Sequence, residues 1–286
     1  MNPVDHQIIA SPLALVWSYP HTVGFDFAGV IVKVGGGVTD LKEGDAVWGQ
    51  LGTLAEAAEG GGSWAEFVVA DASIVGLAPK SLNFSQAGVL PMVSLTGFEA
   101  FRFAQALSWR PGTNVTVVVL GGSGGTGHVG IQLARAFGAA KVLARPAVRE
   151  PIIPGVALPA HSLFHCVRAR AALHSAAAPL SENRSEIALP ALGQVITTCG
   201  ADHIAFVKSL GADIAIDYRT QNWTDLVSDG SVDFVYDTVG AKGTGDQVVP
   251  KLKSGGYFVT LEAAGPKRSR TSRQYTSIDA FFSFLT

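Results

Sequence analysis

The run Val115-Thr116-Val117-Val118-Val119-Leu120 constrains this chain more than any other feature, because it leads directly into Gly121-Gly122-Ser123-Gly124-Gly125-Thr126-Gly127. A nearly continuous β-branched run is how a parallel strand covered on both faces reads in sequence. A helix is expected to follow, from about Gly127 to Phe137. Between that strand and that helix, Gly122, Gly124 and Gly127 have the G-x-G-x-x-G spacing of a dinucleotide-binding turn. The first glycine makes the tight turn, the second lets the backbone approach a pyrophosphate, and the third allows close helix–strand packing. The helix N-terminus then faces the negative charge. Gly122, Ser123, Gly124, Gly125, Thr126 and Gly127 are therefore the expected pyrophosphate-binding residues.

The alternation continues downstream. A helix is expected near His203 to Leu210, a strand at Ile214 to Ile216, and a short helix around Trp223 to Val227. Further strands are expected at Phe234 to Tyr236 and Tyr257 to Thr260. Strands alternating with helices imply a doubly wound α/β sheet. One stretch breaks the pattern. Val142 to Gln194 is crowded with proline, alanine, histidine and arginine and has no sustained period. Joining Lys141 to Val195-Ile196-Thr197-Thr198 restores the second strand of the unit, so the stretch reads as an insertion foreign to the domain, such as a retained intron leaves. A genuine surface loop is the alternative, although loops of that length are rare inside compact domains.

The residues after the second strand bear on the choice of nucleotide. NAD enzymes normally place a carboxylate there to hold the ribose 2′-hydroxyl. Here the strand ends in Thr198-Cys199-Gly200, with no carboxylate before Asp202. Small residues leave room for a 2′-phosphate, so NADPH is the expected cofactor, with Thr198 and Cys199 beside its adenosine.

Upstream, from about Gly24 to Val75, short β-rich runs are broken by glycines, as in a small barrel. Strands are expected at Val30 to Val34, Ala46 to Gly49 and Trp64 to Val69, followed from Ser85 by helical spacing broken at Pro91. A net charge of −2 gives no electrostatic reason to expect nucleic acid as a partner. No apolar run approaches the ~20 residues of a membrane span. Two cysteines, Cys166 and Cys199, exclude a disulfide framework and suit a reducing compartment. No targeting peptide is visible, which leaves a cytoplasmic location as the default and an organellar one open if the start is truncated.

Several further motifs occur in one order: Asn2-Pro3-Val4-Asp5, Val23-Gly24-Phe25-Asp26-Phe27-Ala28-Gly29-Val30, Lys42-Glu43-Gly44-Asp45-Ala46-Val47-Trp48, Gly62-Ser63-Trp64-Ala65-Glu66-Phe67 and Leu95-Thr96-Gly97. With the glycine loop they make the chain resemble the medium-chain dehydrogenase/reductase superfamily. The branch it resembles is that of the zinc-independent quinone oxidoreductases and enoyl reductases. That branch includes the plant alkenal/enone reductases and the mitochondrial reticulon-interacting oxidoreductase. The resemblance runs from Asn2 to about Glu262, apart from the insertion.

It implies a GroES-like substrate domain over residues 1–107, short of its opening strands. A Rossmann domain follows over 108–262, interrupted at 142–194, and an irregular tail over 263–286. The implied activity is NADPH-dependent hydride transfer to a small-molecule quinone or α,β-unsaturated carbonyl, with a homodimer as one possible assembly. By resemblance, Asn2 and Asp5 line the nicotinamide and substrate pocket and Thr96 lies near the nicotinamide. Tyr218 packs at the adenosine 2′-phosphate, and Asp237, Thr238, Val239 and Gly240 form the loop against the nicotinamide ribose. Asp5 is equally able to cap a turn, and Tyr218 to be an ordinary half-buried aromatic. Zinc enzymes of the superfamily have His-Glu where this chain has Phe25-Asp26, and a phenyl ring cannot ligate metal, so no metal is expected. His161, His165, Cys166 and His174 look like a ligand cluster only by composition. A non-catalytic NADPH- or partner-binding protein, or an inactive mis-spliced product, is the alternative to the enzyme.

Overall fold

A computed structural model of the chain describes residues 1–10, 20–51, 61–109, 114–139, 193–261 and 274–277. Most of the interrupting stretch, including His161, His165, Cys166 and His174, lies outside the described residues.

The amino-terminal part opens with helix α1 (Pro3–Ile9), which no periodicity announced. Strand β1 (Asp26–Val30) pairs antiparallel with β2 (Ala46–Gln50), and β2 with β3 (Val75–Leu77). The first strand thus lies upstream of the expected Val30 to Val34, since alternation reports the facing of side chains and not where the ladder runs. Trp64 to Val69 is not a strand. The amides of Gly62, Ser63 and Trp64 instead donate to the carbonyls of Thr22, Gly24 and Val23, and Val69 is 92% exposed.

Helix α2 (Phe84–Ala87) is closed by a reciprocal Asn83–Gln86 capping box. Helix α3 (Pro91–Phe103) follows, and Pro91, expected as a break, is where it starts. Proline suits the first turn because its missing N–H would have no helical partner there.

The second part is a parallel sheet in the order β6-β5-β4-β7-β8-β9. Its strands are β4 (Val117–Leu120), β5 (Val195–Cys199), β6 (Ile214–Asp217), β7 (Val232–Asp237), β8 (Leu252–Thr260) and β9 (Gln274–Ser277). Helix α4 (Gly125–Ala136) follows β4, α5 (Ile204–Ser209) follows β5, α6 (Trp223–Leu226) follows β6, and α7 (Thr244–Lys251) follows β7. Successive residues of β4 face opposite sides. Val117 and Val119 pack with Phe101, Ile131 and Phe234, whereas Val118 and Leu120 pack with Ile216, Trp223 and Val248. Both faces are covered, as the β-branched run required.

Two boundaries move. Gly193 and Gln194, grouped by composition with the insertion, approach β4: the Gln194 carbonyl accepts from Val117 N–H at 2.8 Å. Gln274–Ser277, within the stretch read as irregular tail, adds the parallel strand β9 beside β8. A short polar run at a sheet edge lacks the apolar pattern that marks a strand, so only its backbone pairing reveals it.

Candidate functional site

Neighbours of β4 lie on opposite sides of it, β5 and β7, so the sheet changes direction there. In open α/β sheets ligands bind at the carboxyl ends of the strands at such a switch point. The glycine loop leaves β4 at that place. Gly121 takes the left-handed conformation (φ 79°). A Cβ on Gly122 would meet Thr197 Oγ1 at 1.9 Å, and one on Gly127 would meet the Gly121 carbonyl at 2.1 Å. These two glycines are demanded by contact with the sheet and with the loop itself. Gly124 and Gly125 are exposed, and Ser123 and Thr126 partly so. Gly124 stands at the N-cap of α4 without a side-chain cap. The first N–H groups of that helix have no intrahelical acceptor and are free to meet an anion.

Two further loops close around this one. Asp237 is fully buried, and its Oδ1 accepts from the N–H groups of Val239 (3.0 Å) and Gly240 (3.1 Å). Thr238 Oγ1 donates to the Leu120 carbonyl at 2.7 Å. A Cβ on Gly121 would lie 2.8 Å from both Thr238 Oγ1 and Val239 Cγ2, so the glycine loop and the loop after β7 are in contact. Val239 is 57% exposed at the mouth of the crevice.

At the tip of β5 the structure redistributes the expected roles. Thr198 is buried, and its Oγ1 accepts from the Gly121 N–H while its carbonyl accepts from Gly122. Cys199 is also buried, which pushes its thiol pKa up, with the nearby Asp217 charge adding to the effect. The open surface belongs to Tyr218 and Arg219, and Gly200 is buried beside them. The Arg219 guanidinium carbon lies 5.6 Å from the Tyr218 ring centroid and 3.6 Å from where a Gly200 Cβ would be. Arg219 is not among the site residues singled out from the sequence, and it stands near the end of β5, where an arginine can accommodate a 2′-phosphate.

The residues expected at the nicotinamide end are held by local geometry. Asp5 Oδ2 accepts from the Asn2 N–H at 2.6 Å, so Asp5 does cap the first turn of α1. Its Oδ1 is buried and has no hydrogen-bond partner among the described residues. The Asn2 side chain donates to Asp26 Oδ2 at 2.7 Å. Thr96 lies partly buried on α3, next to Gly97, whose absent Cβ would come within 2.9 Å of Leu133 on α4. Phe25, at the position where zinc enzymes carry histidine, packs with Leu51 and Met92. Among the described residues there is no group of three or more His, Cys, Asp or Glu suited to a metal, and no helix long and apolar enough to cross a membrane.

A dinucleotide fits this arrangement: an uncapped helix end for the pyrophosphate, a cationic corner at β5–β6, and a buried, unpartnered acceptor on Asp5. Known proteins agree on the architecture. Residues 1–80 match the alcohol dehydrogenase GroES-like domain and residues 210–285 the zinc-binding dehydrogenase domain. The 2-methylene-furan-3-one reductase of Solanum lycopersicum is 32% identical over 267 residues, which span 92% of this chain and 53% of the relative. The chloroplastic NADPH-dependent alkenal/one oxidoreductase of Arabidopsis thaliana is 30% identical over 273 residues, spanning 92% and 53%. The chain thus spans about half the length of the curated relatives it matches. A Coxiella burnetii quinone oxidoreductase superposes with a TM-score of 0.64 at 24% identity, over 97% of this chain and 70% of that one. The Escherichia coli quinone oxidoreductase complexed with NADPH does so with 0.60 at 19%, over 97% and 69%. At those identities the likeness is one of fold. With both domain types present and in their order, the chain belongs to the medium-chain dehydrogenase/reductase superfamily.

Proposed function

We propose that the chain is an oxidoreductase that uses NADPH, without zinc, to reduce a quinone or an α,β-unsaturated carbonyl. The observation that carries this reading is the uncapped start of α4 at the sheet's switch point, with the Arg219 corner beside it. The names of the similar reductases, which act on alkenals, furanones and quinones, support the substrate class. When bound, NADPH supplies the hydride. The chain's own residues supply position: the amides of Gly125 and Thr126 hold the pyrophosphate, and Arg219 with Tyr218 receives the 2′-phosphate. The Asp237 carboxylate keeps Val239 and Gly240 in a fixed turn where the ribose would rest. Asp5 Oδ1 offers a carboxamide N–H an acceptor that nothing else described uses. Asn2 and Thr96 complete the pocket on the substrate side. Phe25 offers a metal no lone pair.

The test is NADPH oxidation by the purified chain, with a simple enone and a simple quinone, alongside nucleotide titration. Turnover that prefers NADPH and survives a chelator is expected. Loss of activity on chelation would remove the zinc-free reading. Tight NADPH binding with no turnover on either substrate would leave a non-catalytic NADPH-binding protein in its place.

A further inference from the structure

Asp26 lies on β1 and is bonded to two elements that are far from it in sequence. Its Oδ2 accepts from Asn2 Nδ2 at 2.7 Å, at the start of α1. Its Oδ1 accepts from the Met92 N–H at 2.8 Å. Met92 is the second residue of α3, a helix whose N-cap, Leu90, makes no side-chain cap bond. Its N–H therefore has no helical acceptor, and Pro91 before it has no N–H at all. A carboxylate at that end also suits the helix dipole. Asp26 is in effect the cap of α3, supplied from another strand.

Beyond the capped turn, α3 reaches the glycine loop. Val93 Cγ1 lies 3.5 Å from where a Cβ on Gly125 would be, at the first residue of α4. Four residues beyond Met92 is Thr96, and at Gly97 the helix is pressed against Leu133. One carboxylate thus joins Asn2, on the substrate side, to the helix that touches the pyrophosphate loop.

We infer that Asp26 is a positioning residue: by holding the Asn2 amide and the first turn of α3 with its two oxygens, it sets the substrate-side residues in register with the bound nicotinamide. The inference rests on the reading of Asn2 and Thr96 as pocket residues. It does not place Asp26 in contact with substrate or cofactor.

The experiment compares the full chain with Asp26→Ala, Asp26→Asn and Asn2→Ala by three readouts: NADPH affinity, kcat and KM on one enone, and amide hydrogen exchange. D26A should leave NADPH affinity within about threefold, since the pyrophosphate and 2′-phosphate contacts lie elsewhere. Its kcat should fall on the order of 100-fold, the usual effect of a misplacement of about an ångström. D26A and Asn2→Ala should not multiply in the double variant, because one acts through the other. Exchange at Met92 and over Pro3–Ile9 should quicken by at least about tenfold in D26A. D26N still offers Met92 an acceptor, so it should restore slow exchange there and recover part of the turnover.

Wild-type kcat in D26A, or fully multiplicative losses with Asn2→Ala, would overturn the inference. So would NADPH affinity falling in step with kcat, which signals general damage. If no form of the chain reduces the enone, the functional reading fails and the exchange data decide alone: unchanged protection at Met92 and Pro3–Ile9 in D26A sinks the clasp, and deprotection upholds it.

Discussion

The Thr198 hydroxyl accepts a 2.9 Å hydrogen bond from the Gly121 amide, so the second strand of the sheet braces the glycine loop from beneath. This is a different job from contacting the adenosine ribose, and a single substitution separates the two. Thr198→Val keeps the shape and removes the acceptor, leaving the Gly121 N–H unpaired at a cost of about 1–3 kcal/mol. The loop should loosen, and affinity for NADPH and NADH should fall by the same factor in paired titrations. A loss confined to NADPH would mean that Thr198 reads the 2′ position after all.

The glycines of the loop are not equivalent, and alanine scanning should show it. A Cβ at Gly127 would lie 2.1 Å from the Gly121 carbonyl, a backbone atom that cannot swing aside. At Gly125 the nearest atom would be Val93 Cγ1 at 3.5 Å, an ordinary contact. Gly127→Ala should therefore lower the melting temperature and abolish nucleotide binding, at a stability cost of at least about 1–3 kcal/mol. Gly125→Ala should fold as the parent does. Equal melting temperatures for the two variants would contradict this assignment.

Preference for NADPH should depend on Arg219. Its guanidinium stands beside Gly200 and over Tyr218, where a 2′-phosphate would add two negative charges for it to meet. Arg219→Ala should weaken NADPH about tenfold, equivalent to ~1.4 kcal/mol, and leave NADH within about twofold. Lysine at the same place should be intermediate, because it keeps the charge and loses the planar fork. If NADH weakens as much as NADPH, Arg219 serves the fold and not the choice of nucleotide.

Burial raises the Asp26 carboxyl pKa above its ordinary value, and the neighbouring Asp5 adds to that, against the lowering effect of the bonds from Asn2 and Met92. The folded state therefore holds this proton more tightly than the unfolded chain does. Its contribution to stability is full below the unfolded carboxylate value and is lost as pH rises through the higher folded one. Measured against Asp26→Asn, which does not titrate, the parent should lose relative stability in denaturant melts as pH rises above the ordinary carboxylate value of about 4. A relative gain over that rise would show that the Asn2 and Met92 bonds outweigh desolvation.

What the sequence determined by itself is the strand–glycine loop–helix unit and the doubly wound order around it. The reason is locality: the β-branched run at Val117 to Leu120, the steric need for Gly122 and Gly127, and the helical period after them lie within one stretch of chain. The resemblance of Asn2-Pro3-Val4-Asp5 and Phe25-Asp26 to known reductases was legible too, but only as an assignment of position. Tertiary structure decided what those positions do. The Asp26–Met92 bond spans 66 positions and the Gly121–Thr198 bond spans 77, and no local pattern encodes either. The same holds for Trp64 to Val69, which read as a strand, because the chain bends there and the amides of Gly62 to Trp64 bond the carbonyls of Thr22 to Gly24 instead of a ladder. It holds for Gln274–Ser277 as well, which is a strand only because β8 offers it an edge. Local sterics and periodicity can be read along a chain, whereas capping, bracing and edge pairing depend on which distant residues the fold brings within about 3 Å of each other.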